Sequence, residues 1–128
     1  DIYRPGLEGV IAGETAISAI SDGLRYRGYS IEDLAANTSF EEVAYLILYG
    51  ELPQPSELEQ FQQRLSAAAT VHPEIIEILR RIPAQASAMD VMRTGTSLLA
   101  HWDADEGDND REANLRKAER LLAQLMIV

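Results

Sequence analysis

Residues 39–50 read "SFEEVAYLILYG", and this stretch carries a start signal, an apolar face and a stop signal for one helix. Ser39 and Glu42 form an S-x-x-E capping box, in which side chain and backbone satisfy each other's orphan groups at a helix start. Phe40, Val43, Ala44, Ile47 and Leu48 recur at the three- and four-residue spacing of one apolar face. Gly50 suits the left-handed end of a helix, and Pro53 follows where a helix cannot continue. The stretch therefore predicts a helix.

The same grammar runs on toward the C-terminus. Ser56 to Glu59 is a second S-x-x-E box, followed by a face of Leu58, Phe61, Leu65 and Ala68. Pro73 suits the first position of a further helix, where its missing N–H costs nothing. Ile75, Ile76, Leu79 and Ile82 are the face of that helix. A helix from about Met89 to Trp102 should present Val91, Thr94, Gly95, Leu98 and Trp102, and a last one should present Leu115, Ala118, Leu122 and Leu125. Working the other way, Ser30 with Asp33 is an aspartate version of the capping box ahead of one short turn of helix. Residues 1–29 read differently. They hold Gly6, Gly9, Gly13, Gly23 and Gly28, and runs such as "GVIAG" and "TAISAIS" suggest short strands, with "SDG" a turn before "LRYRG". On a strand Arg25 and Arg27 would share one face. The expected fold is mainly α, an extended or β-hairpin leader over 1–29 and helices over 30–128.

Composition bounds the function. The chain has 128 residues and a net charge of −10, from 21 acids against 11 bases. So acidic a surface repels polyphosphate and anionic membranes, which argues against a nucleic-acid or membrane partner, "RYR" notwithstanding. No apolar run reaches the roughly 18 residues of a membrane span. Cysteine is absent, removing disulfides, thiolate nucleophiles and cysteine-bound zinc; this is compatible with a reducing cytoplasm, the expected compartment. The start shows no secretory signal pattern. The chain begins at Asp1 and ends on apolar "LLAQLMIV", so a portion of a larger protein is expected, prone to self-association through that stripe.

Candidate chemistry is thin. The glycines of "PGLEGVIAGET" lack both the G-x-x-x-x-G-K-[ST] and the G-x-G-x-x-G spacing, so bends between short strands are the better reading. "DADEGDND", 103–110, is acid-rich, but counting from Asp103 puts Asp108 sixth and Asn114 twelfth, where a calcium loop needs glycine and glutamate. A solvated loop is expected, with Asn109 or Asp110 capping the last helix. His72 precedes Pro73 and should serve the start of a helix. His101 falls near a helix end, where a cation meets the favourable pole of the dipole. Asp90 and Arg93 form an i,i+3 pair with no second half for a substrate. No catalytic or metal-binding residue is expected, and cofactor-binding residues are unknown.

Three segments in order, "PGLEGVIAGETAIS", "LRYRGYSIEDLA" and "MDVMRTGTSLLAHWD", resemble the N-terminal part of bacterial-type citrate synthases, and "FEEVAYLILYGELPQPSELEQF" between them is similar to the same family's helix-turn-helix. The resemblance covers essentially the whole chain. It implies residues 1–128 as the N-terminal part of the large domain of a mainly α, two-domain transferase of the tricarboxylic acid cycle, with the remainder of that domain and the small domain absent. The family works as a homodimer or higher assembly, condensing acetyl-CoA with oxaloacetate and water to citrate and CoA; 2-methylcitrate synthase, using propionyl-CoA, is the close variant. An aspartate and two histidines would act on substrate, without metal or other cofactor. Their histidine-glycine-glycine, glycine-histidine-arginine and asparagine-valine-aspartate motifs lie later than this sequence reaches, so neither His72 nor His101 inherits a role and the fragment is expected to be inactive alone. Related sequences have histidine-proline before methionine-aspartate; here Ser87-Ala88 precedes Met89-Asp90. The rival reading is a non-catalytic helical interaction module.

Overall fold

The computed structural model describes residues 6, 9–11 and 13–128. The chain divides into two compact units, Asp1–Leu52 and Pro53–Val128.

The first unit opens on a three-stranded antiparallel sheet, β1 (Ser18–Ala19), β2 (Arg25–Tyr26) and β3 (Tyr29–Ser30), in that spatial order. Ser18 pairs with Tyr26, Arg25 with Ser30, and Tyr26 with Tyr29. Between β2 and β3 only Arg27 and Gly28 make the turn, at φ 48° and 92°. Positive φ at both central residues is the type I′ geometry, whose twist matches the flanking strands. Arg27 therefore leaves the strand and does not share a face with Arg25, contrary to the expectation from alternation. The expected "SDG" turn is present, with a bridge between Ser21 and Gly23. "GVIAG" forms no strand where it is described, while Pro5, Leu7, Glu8 and Ala12 of the same segment lie outside the described residues, as do residues 1–4.

Two helices complete this unit. Helix α1 (Ile31–Asn37) starts at Ser30, whose hydroxyl accepts from the Asp33 N–H at 3.1 Å. Helix α2 (Phe40–Tyr49) has the full capping box: Glu42 N–H donates to Ser39 Oγ, and Ser39 N–H donates to Glu42 Oε2 at 2.7 Å. Gly50 ends it at φ 99°, donating its N–H to Leu46 O. Leu46 is fully buried, whereas Phe40, assigned to the apolar face, is 66% exposed. Val43, Ala44, Ile47 and Leu48 are half-buried beside Leu46, and Phe40 lies in the exposed first turn.

The second unit consists of α3 (Pro55–Ala68), α4 (Pro73–Leu79), α5 (Ala88–Ala100) and α6 (Arg111–Gln124). Helix α3 packs on α6, and α4 on α5. The α3 start lies at Gln54, two residues before the expected Ser56 box: Pro55 takes the first helical position, where it needs no N–H, and Glu57 accepts from Gln54 N–H at 2.7 Å. Phe61, Ile75, Leu99 and Ala113 are buried. Ser87 caps α5 through Asp90 N–H, which gives the departure at Ser87-Ala88 a physical role. On α5, Thr94 is exposed and Leu99 is buried in its stead, and Trp102 lies beyond the helix end at His101.

Candidate functional site

The second unit holds a cavity of about 500 Å³ between the start of α4, the end of α5 and the C-terminal half of α6. His72, Trp102, Asp103, Arg120 and Gln124 line it, with Ile75 and Leu99 at its base. His72 is placed by its own helix: its Nδ1 accepts from the Glu74 N–H at 3.3 Å, so the proton of a neutral ring sits on Nε2. Its ring stacks on Trp102, centroids 5.0 Å apart and planes 21° from parallel. His101 meets the same indole edge-on at 6.3 Å. The two histidines thus converge on one tryptophan, a convergence that the linear sequence, where they stand far apart, does not reveal.

One wall of the cavity is ionic. Arg120 donates to Asp103 through Nε at 2.9 Å and Nη2 at 2.6 Å, and Nη2 also reaches Asp105 at 2.8 Å. Arg116 grips Asp105 from the other side at 3.1 and 2.9 Å. The bond from Arg120 holds the Asp103 carboxyl below its ordinary range. Bonds from Arg116 and then Arg120 hold Asp105 well below it. The same contacts raise both arginines: Asp105 acts on Arg116 and Asp103 on Arg120. The acidic loop was expected to be solvated; half of it is instead stapled to α6, because arginines at i and i+4 present two forks on one face. Asp110 caps α6, accepting from Ala113 N–H at 2.7 Å, as expected, and the Lys117 ammonium donates to Asp108 O. Asp103 and Asp105 are matched by Arg116 and Arg120, and both forks are already taken, so this wall offers no vacant anion grip.

The other candidates are structural. Asp90 and Arg93 meet at 2.8 Å with both side chains more than half exposed, and Asp90 also accepts from Ser87 Oγ. Arg25 donates to Gly28 O, inside its own hairpin. Arg27 donates through Nη2 to Ile47 O of α2 at 2.8 Å. No group of three or more potential metal ligands occurs among the described residues. No helix among them is long and apolar enough to cross a membrane. Sequence reasoning missed a bidentate pair in this unit: Arg64 on α3 donates through Nε and Nη2 to buried Glu119 on α6, both at 2.8 Å.

Fold and site together define a mainly α-helical chain with a small antiparallel hairpin at its N-terminal end. A family model described as "Citrate synthase, C-terminal domain" matches residues 6–128, and the chain belongs to the citrate synthase family. It is 47% identical over 121 residues to a 2-methylcitrate synthase of Shewanella oneidensis, covering 92% of this chain and 32% of that protein. It is 42% identical over 123 residues to a citrate synthase of Mycolicibacterium smegmatis, covering 94% and 32%. The crystal structure of citrate synthase from Pyrobaculum aerophilum superposes with a TM-score of 0.85 at 34% identity, over 96% of this chain and 35% of that one. The chain spans about a third of the length of the curated relatives it matches.

Proposed function

We propose that this chain is the N-terminal portion of the large domain of a citrate synthase-family transferase. The parent would condense an acyl-CoA with oxaloacetate, then hydrolyse the thioester to release CoA. The observation that carries this reading is the continuous match over residues 6–128 to that family, at a third of its relatives' length. Placement at the N-terminal end rests on the order of "PGLEGVIAGETAIS", "LRYRGYSIEDLA" and "MDVMRTGTSLLAHWD". In this reading the reacting aspartate and histidines belong to the parent's later segments, and His72 and His101 serve helix ends and the Trp102 stack. The parent works without a metal or other cofactor, as a homodimer or an assembly of dimers, in the cytoplasm.

Acyl preference divides the relatives: the Shewanella protein is named for 2-methylcitrate and the Mycolicibacterium protein for citrate, at similar identity. The acyl-CoA of the parent is acetyl-CoA or propionyl-CoA, and a direct comparison of the two decides it. The test assays thiol release from each acyl-CoA with oxaloacetate, using the full-length parent and the 128-residue chain side by side. The parent should release CoA from at least one, and the chain alone from neither. Thiol release by the isolated chain would overturn the placement of the reacting groups, and an inert parent would overturn the family activity.

A further inference from the structure

Arg27 occupies the first central position of a type I′ turn at φ 48°, where glycine, asparagine and aspartate are the favoured residues. A long side chain there strains the backbone through its Cβ. Something must hold it, and the turn itself gains nothing from an arginine. Its side chain supplies the reason. Nη2 donates to Ile47 O at 2.8 Å and Nη1 to Ala16 O at 3.4 Å, while its backbone N–H donates to Ile17 O at 2.8 Å. Ile47 lies in the last turn of α2, among the carbonyls a helix leaves without an internal partner. One residue therefore ties the segment before β1, the β2–β3 turn and the end of α2 together.

The tie is poorly compensated. The Nε–H of Arg27 is buried and meets no acceptor among the described residues, and an unmet buried donor is costly. Within this chain the rest of the hairpin contributes little burial: its strands are two residues each, and Ile17, Ile20, Leu24 and Tyr29 are exposed, Ile20 by 80%. We propose that residues 16–30 form a flap that opens as a unit from the end of α2, with Arg27 as the strained latch that holds it shut. Opening hydrates Nε and exposes the Ile47 carbonyl, the strained turn moving with the flap; closing rests on the charge-assisted bond from Arg27 to Ile47 O. This inference concerns the leader and stands apart from the functional reading above.

Amide exchange by mass spectrometry on the full-length parent tests it, with R27G and R27K beside the natural protein. R27G removes strain and latch together, so the two explanations predict opposite signs. A latch predicts exchange roughly tenfold faster over 16–30, since one charge-assisted bond is lost, with α3 and α6 peptides unchanged and R27K intermediate. If the guanidinium held nothing, R27G would slow exchange there or leave it alone, because glycine suits the turn better; that result would overturn the proposal. The natural protein gives a second reading that needs no variant. Peptides from 16–30 should exchange together and faster than those of α2, and equal protection of the two would refute the flap.

Discussion

Removing Arg64 should expose how much of the α3–α6 packing depends on one buried carboxylate. The Glu119 side chain is 9% exposed and the Arg64 side chain 46%, so the pair lies at the edge of the core with its acid inside and its base half in water. Two parallel bonds of 2.8 Å join them, and the guanidinium carbon stands 5.6 Å from the Phe61 ring centre. Breaking a fully buried pair by deleting one partner costs about 3–5 kcal/mol. Water already reaches Arg64, and it would enter the gap left by alanine, so about 2–3 kcal/mol is the expected cost of R64A, including the packing of its stem on Phe61. E119Q, which keeps the shape and one acceptor, should cost about 1 kcal/mol. The double variant R64M/E119L replaces both charges with apolar groups of similar volume and should fall within about 1 kcal/mol of the natural chain. Urea denaturation followed by circular dichroism reads all three, provided the slope with denaturant is unchanged. A loss below about 0.5 kcal/mol in R64A would refute the claim that the Arg64 fork on the buried Glu119 carboxylate sets the cost.

Acid should loosen the α6 staple in a defined direction. Asp103 and Asp105 are depressed by Arg120 and Arg116, and Glu42 by its bonds from Ser39. A depressed carboxyl contributes stability that is fully present above its unfolded value, near pH 4, and is lost as pH falls through the folded value. The urea midpoint should therefore fall between about pH 4 and pH 2, less steeply in D105N; a flat or rising midpoint over that window would contradict the assignment. Gly95 gives a steric test. A Cβ there would lie 2.9 Å from Val128 Cβ and 3.2 Å from Cγ2, so G95A should lose more to overpacking than the roughly 1 kcal/mol that alanine gains in a helix. In a V128G background the same substitution should become stabilising, as measured by thermal unfolding.

Where the sequence was legible, the signals were local. Ser30, Ser39 and Asp110 cap their helices, and Pro73 and Gly50 begin and end theirs, because caps and breakers act through bonds and dihedral limits within a few residues. The α3 start was misplaced for the same local reason, two competing signals two residues apart, and proline at the first helical position won. Phe40 and Thr94 were put on buried faces that periodicity allowed and packing did not fill. The family, too, was written in the order of its segments, over nearly the whole chain.

The site was a different matter. Nothing local brings Arg64 to Glu119, His72 to Trp102, or Arg120 to Asp103, since each pair joins separate elements through packing. The two arginines of "LRYRGY" show the division most plainly. Composition argues against a nucleic-acid partner, but it could not separate Arg25, which bonds within its own hairpin, from Arg27, which reaches α2. Helix starts, helix ends and the mainly α class are set by interactions a few residues long, so the sequence by itself determined them. Which charges are buried, which ring stacks on which, and which arginine holds the leader down depend on contacts between residues distant in the chain, and those only the tertiary structure decided.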